Sequence, residues 1–488
     1  MKTIDWTPDR ASPIPLHKQI EEYIRAKILH GEWTVGTVIP SQRTLAETFG
    51  VNRSTVVEAL NELSSLGLLE GKTGGGTRIV NTTWSLMASS PPTDWQSYVS
   101  AGISQPNMPT IQEINLAEFV PGIIRLGTGE LAPELLPDDD ILQLFQSRTE
   151  RKLALGYEEP KGNLFLRQQI AGRLKSIGIQ AAASSILIVS GALQALQLIS
   201  IGLLGKESTI LAENPSYLHS VPVFQSAGMK LQSLPMDDDG LETWLVPTYQ
   251  KQYKASLIYT IPTFHNPTGL VMPEQRRQQL IRLCNEERLP IIEDDVYREL
   301  WLDSPPPLPL KSFDQNGNVL YIGSLSKSVS PGLRIGWLVG PEPVIERLAD
   351  VKMQTDYGSS ALSQWAAGEW LAGGRHDMHL ARLRENLRNR RDHALEILER
   401  NFRDIARWRK PSGGFYIWLR LEKPVSMRSL FEQAKKAGIL LNPGPLYDRS
   451  AADYLRISYS YASLQELEKG LTILSGIIRE HLTASSQG

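Results

Sequence analysis

The sequence predicts a multidomain protein, with a small winged helix-turn-helix unit in front of a larger α/β body built on a mainly parallel sheet. Three observations carry this. Near the N-terminus, apolar residues recur at helical spacing in three short runs separated by turn residues, and two short strand-like segments follow. Beyond residue 114, Ile- and Val-rich runs alternate with helical patterns. At 488 residues the chain exceeds what a single core accommodates.

Composition narrows the class. Hydrophobic residues make up 41% and charged residues 21%, proportions of a folded chain, and a net charge of -2 neither favours nor excludes a nucleic-acid partner. No apolar run is long enough to cross a bilayer, and Met1-Lys2-Thr3-Ile4-Asp5-Trp6 lacks the core of a signal peptide, so a cytoplasmic protein with no membrane partner is expected. Cys284 is the only cysteine, which rules out an intrachain disulfide. Within Leu280, Ile281 and Leu283 it is expected to be a small buried hydrophobe. Of the histidines only His376 and His379 are close in sequence, without the cysteine or acidic pattern of a metal site, and none is expected.

In the front unit, Leu16, Ile20, Ile24 and Ile28 define one face of a first helix, ended by Gly31 and the run Gly36-Thr37-Val38-Ile39-Pro40. Ser41 is a good N-cap for a short second helix carrying Leu45, Ala46 and Phe49. Gly50 allows a tight turn, and Asn52 is expected to cap a third helix that turns Val56, Leu60 and Leu63 inward. Arg53, Ser54 and Thr55 open that helix, where a recognition helix meets base edges. Gly67-Leu68-Leu69-Glu70 and Thr77-Arg78-Ile79-Val80 are expected to pair as a wing. Arg43, Arg53, Lys72 and Arg78 are thus candidate DNA contacts, with Arg43 and Arg78 on phosphate. Residues 1–80 carry as many Lys and Arg as Asp and Glu, so affinity has to come from local placement or dimerisation. On pattern alone a short helical protein-interaction module also fits. The run Gly74-Gly75-Gly76 is no phosphate loop, because no Lys-Ser or Lys-Thr follows it.

Four motifs, Pro15-Leu16-x-x-Gln19-Ile20, Pro40-Ser41-x-Arg43-x-Leu45-Ala46, Val51-x-Arg53-x-Thr55-Val56 and Gly76-Thr77, resemble the winged helix-turn-helix of the GntR family of bacterial repressors and activators over residues 15–80. The resemblance implies operator contacts by Arg53 and by Ser41 with Arg43.

Residues 81–113 lose periodicity and gather Pro, Ser and Thr, as in Ser89-Ser90-Pro91-Pro92-Thr93, and read as a spacer. In the body, strands are expected at 185–189, 208–211, 255–259, 290–292 and 318–322, with helices at 165–175 and 274–287 among them. Ligands of such sheets gather at the strand ends. Lys327 stands there among hydroxyls, in Ile322-Gly323-Ser324-Leu325-Ser326-Lys327-Ser328. Asp294 ends another strand. Ser190-Gly191-Ala192-Leu193-Gln194 opens a helix whose first amides suit an anion, and Ser324, Ser326 and Arg334 add donors. Tyr217 offers a ring face, and Tyr297 and Asn266 offer donors for a ring oxygen. An amine, a carboxylate for a ring nitrogen, phosphate donors and an aromatic face are what pyridoxal 5′-phosphate requires. Singly each has a plain alternative: a surface lysine, an acidic cluster at a helix start, or a common turn at Asn266-Pro267-Thr268-Gly269. His265 reads equally as a pocket or a turn residue.

Tyr157 with Gly162, Gly191, Asn266-Pro267-x-Gly269, Asp294-x-x-Tyr297, Ser324-x-x-Lys327 and Arg334, taken in this order, resemble the fold-type I, aspartate-aminotransferase-like enzymes over residues 122–480. The resemblance implies a Schiff base between Lys327 and the cofactor and pairing of Asp294 with the pyridine nitrogen. It further implies that Tyr157 reaches the phosphate across a homodimer and that Arg456 receives an effector carboxylate. A large domain at 114–371 and a small α+β C-terminal domain at 372–488, after a reader at 1–80, follow from it. Tyr217 stands where many aminotransferases have Trp or Phe.

The two halves together resemble the MocR-type subgroup of GntR regulators. That likeness implies a dimeric, pyridoxal-phosphate-dependent factor on operator double-stranded DNA. It would sense the cofactor or an amine or amino-acid effector and control amino-acid, vitamin B6 or cell-wall genes. Two other readings stand beside it: a working aminotransferase whose front region only assists assembly, and an interaction protein with a vestigial cofactor site.

Overall fold

The computed structural model describes residues 4, 6–29, 32–72, 76–80, 107–146 and 155–485, in two compact units, Met1–Gly102 and Ile103–Gly488. Gly31, the wing residues Gly74 and Gly75, and residues 81–106 of the expected spacer lie outside the described residues.

In the first unit, α1 (Leu16–Leu29), α2 (Gln42–Phe49) and α3 (Arg53–Ser65) enclose a core of Ile20, Ile24, Leu45, Phe49, Val56, Leu60 and Leu63. The N-cap of α2 is Ser41, whose Oγ accepts from the Thr44 amide at 3.2 Å, and Gly50 closes the helix in the left-handed region at φ 63. Asn52 occupies the N-cap position of α3 but makes no side-chain cap bond, contrary to expectation. The carbonyl of Asn52 accepts from Thr55 N instead. The wing strands β1 (Leu69–Lys72) and β2 (Gly76–Ile79) pair antiparallel with Glu70 opposite Arg78. A third segment joins them: Ile39 N donates to Thr77 O and Ile79 N to Thr37 O, so the run expected only to end α1 also forms the wing edge. Trp6, unforeseen, stacks on Tyr23 with ring centroids 4.4 Å apart and seals the core.

In the second unit, a helix at Pro109–Ala117 starts inside the stretch read as spacer; Pro109 sits at its first turn, where no amide donor is needed. The strand β3 (Ile124–Arg125) follows. The large sheet comprises β4 (Ile186–Val189), β5 (Thr209–Asn214), β6 (Lys230–Asp237), β7 (Gly240–Leu241), β8 (Ala255–Thr260), β9 (Ile291–Asp294), β10 (Val319–Ser324) and β11 (Gly336–Val339), in the order β4-β11-β10-β9-β8-β5-β6-β7. Pairing is parallel from β10 through β9, β8 and β5 to β6, while β11 runs against both neighbours. All five expected strands are present. Leu187 and Val189 pack on one layer of helices, Ile186 and Ile188 on the other. Burial on both faces explains their unbroken apolar run.

A second, antiparallel sheet has the order β12-β13-β16-β15, from β12 (Ala406–Arg407), β13 (Tyr416–Leu421), β15 (Asn442–Pro443) and β16 (Tyr454–Ser458). The short β14 (Ile439–Leu440) pairs parallel with β3, register Ile439 to Ile124. Ile114, Ile124 and Leu126 therefore share a core with Phe431, Leu440 and Leu471. The segment from Pro109 to Leu131, most of which falls in the expected large domain at 114–371, thus packs with the C-terminal layer, through a pairing between residues more than 300 positions apart that no local pattern reveals.

Candidate functional site

The C-terminal ends of β4, β8, β9 and β10 converge on a cavity of about 360 Å³, and part of its wall comes from the small sheet. Lys327, three residues past β10, donates from Nζ to Gly129 O at 2.6 Å. A Cβ at Gly129 would collide with the Tyr416 hydroxyl, so only glycine brings its carbonyl so near. Asp294 ends β9 and is buried. Its Oδ2 accepts from the Tyr259 hydroxyl at 2.8 Å, while its Oδ1 has no partner. Burial lifts this carboxyl to about 6, against the opposing pull of the Tyr259 phenol, the Val296 amide and the Lys327 ammonium.

On the same cavity wall, Gly191, Ala192 and Leu193 open the helix Ala192–Leu203. Gly191 has φ 90, and a Cβ there would meet Arg334 Nη2 at 2.5 Å. Arg334 donates to Ser190 O at 2.7 Å. Ser324 Oγ accepts from Ser326 N at 3.1 Å, and the buried Ser326 Oγ has no partner. A helix start, a guanidinium, an unpaired hydroxyl and an unpaired carboxylate oxygen thus line one cavity, the first three a donor set suited to a polyanion.

Tyr217 lines the cavity on a turn fastened to the C-terminal layer by Ser216 N donating to Tyr447 O at 3.0 Å, and burial raises its phenol. Tyr297 also lines it, and its hydroxyl is 3.0 Å from that of Tyr416. Tyr416 begins β13 and was missed by sequence reasoning. Arg456, on β16, donates to Asn266 Oδ1 at 2.9 Å and to Gly127 O at 2.6 Å between the rings of Tyr416 and Tyr447, leaving Nε unpartnered. The structure thus brings together Lys327, Asp294, Tyr297, Asn266, Tyr217, Gly191, Ala192, Leu193, Ser324, Ser326, Arg334 and Arg456. Tyr157 stands apart, 87% exposed and edge-on to Tyr357. His265 is a turn residue outside the lining, with Nδ1 2.8 Å from Thr268 Oγ1. Cys284 is fully buried, and burial pushes its thiol up to about 12.

In the first unit, Ser41 and Arg43 mark the start of α2, and Arg53, Ser54 and Thr55 the start of α3. Arg53 Nη2 donates to Gln42 Oε1 at 3.1 Å, tying the two starts together, and the exposed Arg43 pairs with Glu47 at 3.1 Å. Lys72 ends β1 and Arg78 lies on β2.

A family model described as bacterial regulatory proteins, gntR family, matches residues 16–79, and one described as aminotransferase class I and II matches residues 121–474. The chain belongs to the MocR type of GntR regulators. This MocR-type chain is 58% identical to the "Uncharacterized HTH-type transcriptional regulator YisV" of Bacillus subtilis, over 96% of its own length and 97% of that protein. It is 35% identical to the HTH-type transcriptional regulator NorG of Staphylococcus aureus, over 89% and 97%. Among solved structures, the MocR-type body is similar to the Pyrococcus horikoshii kynurenine aminotransferase in complex with PMP, at 30% identity and TM-score 0.72, over 78% of this chain and 96% of that one. It is likewise similar to the α-aminoadipate aminotransferase LysN of Thermus thermophilus, complexed with N-(5′-phosphopyridoxyl)-L-leucine, at 27% identity and TM-score 0.72, over 80% and 100%. Among the described residues of the regulator, no helix is long and apolar enough to cross a membrane.

Proposed function

We propose that this transcriptional regulator holds pyridoxal 5′-phosphate at Lys327 and changes its grip on operator DNA when an amine- or amino-acid-bearing effector, or the cofactor itself, occupies the pocket. The observation that carries the reading is the unpartnered Oδ1 of Asp294 on the same cavity as Lys327 Nζ and the helix start at Gly191. A buried carboxylate oxygen without a donor is costly and fits the N–H of a pyridinium. When bound, the cofactor supplies an aldehyde that condenses reversibly with primary amines.

The chain's own residues divide the work. Asp294 holds the proton at the ring nitrogen, and Tyr259 orients its other oxygen. Gly191, Ala192, Leu193, Ser324, Ser326 and Arg334 bind phosphate, and Tyr217 stacks on the ring. Asn266 and Tyr297 reach the ring oxygen, and Tyr416 positions Tyr297. Arg456 takes a carboxylate by its planar fork. Tyr157, exposed in the single chain, completes the phosphate site of the partner in a homodimer. Arg53, Ser54 and Thr55 read bases, while Ser41, Arg43, Lys72 and Arg78 meet the backbone of the duplex. Residues 1–80 form the reader, with a cytoplasmic setting. Effector binding favours one of two arrangements of the paired readers.

The test has two arms. Borohydride reduction with pyridoxal phosphate should leave a phosphopyridoxyl label on the peptide containing Lys327 and on no peptide of Lys327→Ala. Footprinting on DNA upstream of its own gene should show protection that candidate amines alter. An unlabelled Lys327, or no selected DNA, overturns the proposal. Because Lys327, Asp294 and Arg456 all face one cavity, amino transfer is a second reading. Turnover of an amino donor with a keto acid, unchanged on deletion of residues 1–80, would establish it.

A further inference from the structure

A second cavity of about 340 Å³ adjoins the first, sharing only Val296 and Ser324 with it. It opens between the helix Leu164–Ser176, the start of the helix Arg375–Phe402 and the loop around Pro305. No residue assigned above to cofactor chemistry enters it except Ser324. Its wall is chiefly apolar and aromatic, from Ile170, Ile177, Trp301, Leu308 and Trp337, the composition of small-molecule sites.

Two polar atoms in this wall are left without partners. Asp295 is 3% exposed; its Oδ2 accepts from Arg298 Nη1 at 3.3 Å and the Tyr321 phenol on the same wall also interacts with the carboxylate, but its buried Oδ1 makes no well-formed hydrogen bond. The indole Nε1 of Trp337 is likewise buried and unpaired. Each is costly to bury unless something satisfies it. The other charged groups are already engaged. Arg173 pairs with Glu299 and Asp377, and His376 Nε2 lies 2.9 Å from Glu299. Arg384 donates to Glu299 O over the Trp301 ring. What remains is one carboxylate oxygen wanting a donor, one N–H wanting an acceptor, and apolar surface around them.

We infer that this cavity is a second ligand site, taking a small molecule with an apolar or aromatic body, an N–H donor of cationic character for Asp295 and an oxygen acceptor for Trp337. It is distinct from the cofactor pocket and needs no imine chemistry.

N,N-Dimethyltyramine is the probe, because a tertiary amine cannot condense with the cofactor aldehyde yet carries the required N–H, ring and oxygen. Calorimetry should show saturable binding, one per chain, to the full-length protein with and without saturating pyridoxal phosphate. Asp295→Asn, which keeps shape but removes charge, should weaken it about tenfold, as for one hydrogen bond to a charged group. Leu308→Trp, a substitution on the cavity wall at a position 43% exposed, should weaken it without touching Asp295, and so decides the matter if Asp295→Asn fails to fold. Absence of saturable binding, displacement of the probe by pyridoxal phosphate, or undiminished affinity in the folded variants overturns the inference.

Discussion

Arg456 donates to Oδ1 of Asn266 at 2.9 Å, so one hydrogen bond ties β16 of the small sheet to the loop after β8 of the large one. The guanidinium also holds Gly127 O and lies 4.2 Å from the Tyr416 ring centroid, yet Nε stays free. A carboxylate arriving here meets a charge already oriented and desolvated. We expect Arg456→Lys, which keeps the charge and loses the fork, to weaken carboxylate-bearing amines about 10- to 100-fold, the range of hydrogen bonds to charged groups. Cofactor affinity should change little. Spectral titration with an amino acid and with its decarboxylated amine separates the outcomes, since equal losses for both would deny Arg456 this role.

Asp294 carries a cost in the cofactor-free protein that pH exposes. Burial raises its folded-state pKa from 3.8 to about 6, so ionisation opposes folding above pH 6, and this penalty fades as pH falls toward 4. Asn is shaped like the protonated acid and can still accept from Tyr259. Cofactor-free Asp294→Asn should therefore be more stable than the parent at pH 7–8, by on the order of 2 kcal/mol, with the gap closing near pH 4. The same variant should bind pyridoxal phosphate more weakly. Thermal unfolding across pH and cofactor titration check the two halves; a stability gap independent of pH would remove the electrostatic explanation.

How much of this was legible beforehand depends on how local each feature is. Asp294 stands out because it closes a short apolar run, and Lys327 because it follows another by three residues among hydroxyls; a strand that delivers side chains at or just past its end announces itself in sequence. The helices of the reader announce themselves through Ile20, Ile24 and Ile28 in α1, Leu45 and Phe49 in α2, and Val56, Leu60 and Leu63 in α3. Tyr416 was invisible because an aromatic at the start of a strand reads as core, and its role appears only where the two sheets meet. The pairing of β3 with β14 and of the segment at Thr37–Ile39 with the wing joins chain segments whose own patterns name no partner. The strand β11 runs antiparallel between β10 and β4, a direction and pairing that its four residues, Gly336–Val339, do not announce.

Arg43 and Arg53 of the reader should separate by what they contact. Arg53 opens α3 and is steadied by Gln42, whereas Arg43 is free to solvent and paired only with Glu47 along its own helix. Arg53→Ala should cost about 1–3 kcal/mol on the operator and blur preference over random DNA. Arg43→Ala should weaken both DNAs alike and reduce the salt slope by about one. Fluorescence anisotropy at several salt concentrations reads both quantities. A uniform loss from Arg53→Ala would move it to the phosphate class.

The contrast between Ser41 and Asn52 assigns them different duties. Both stand at helix N-caps in extended backbone, but only Ser41 uses its side chain to cap. Ser41→Ala should thus destabilise α2 by about 1 kcal/mol. Hydrogen exchange of the full-length protein would show this as faster exchange at the opening turn of α2. Asn52 is exposed beside Arg53, and its amide is not committed to the helix, so Asn52→Ala should leave exchange in α3 nearly unchanged. If the uncommitted amide instead serves the duplex, the same variant lowers operator affinity with the fold intact. Faster exchange in α3 with unaltered DNA binding would return Asn52 to a structural role.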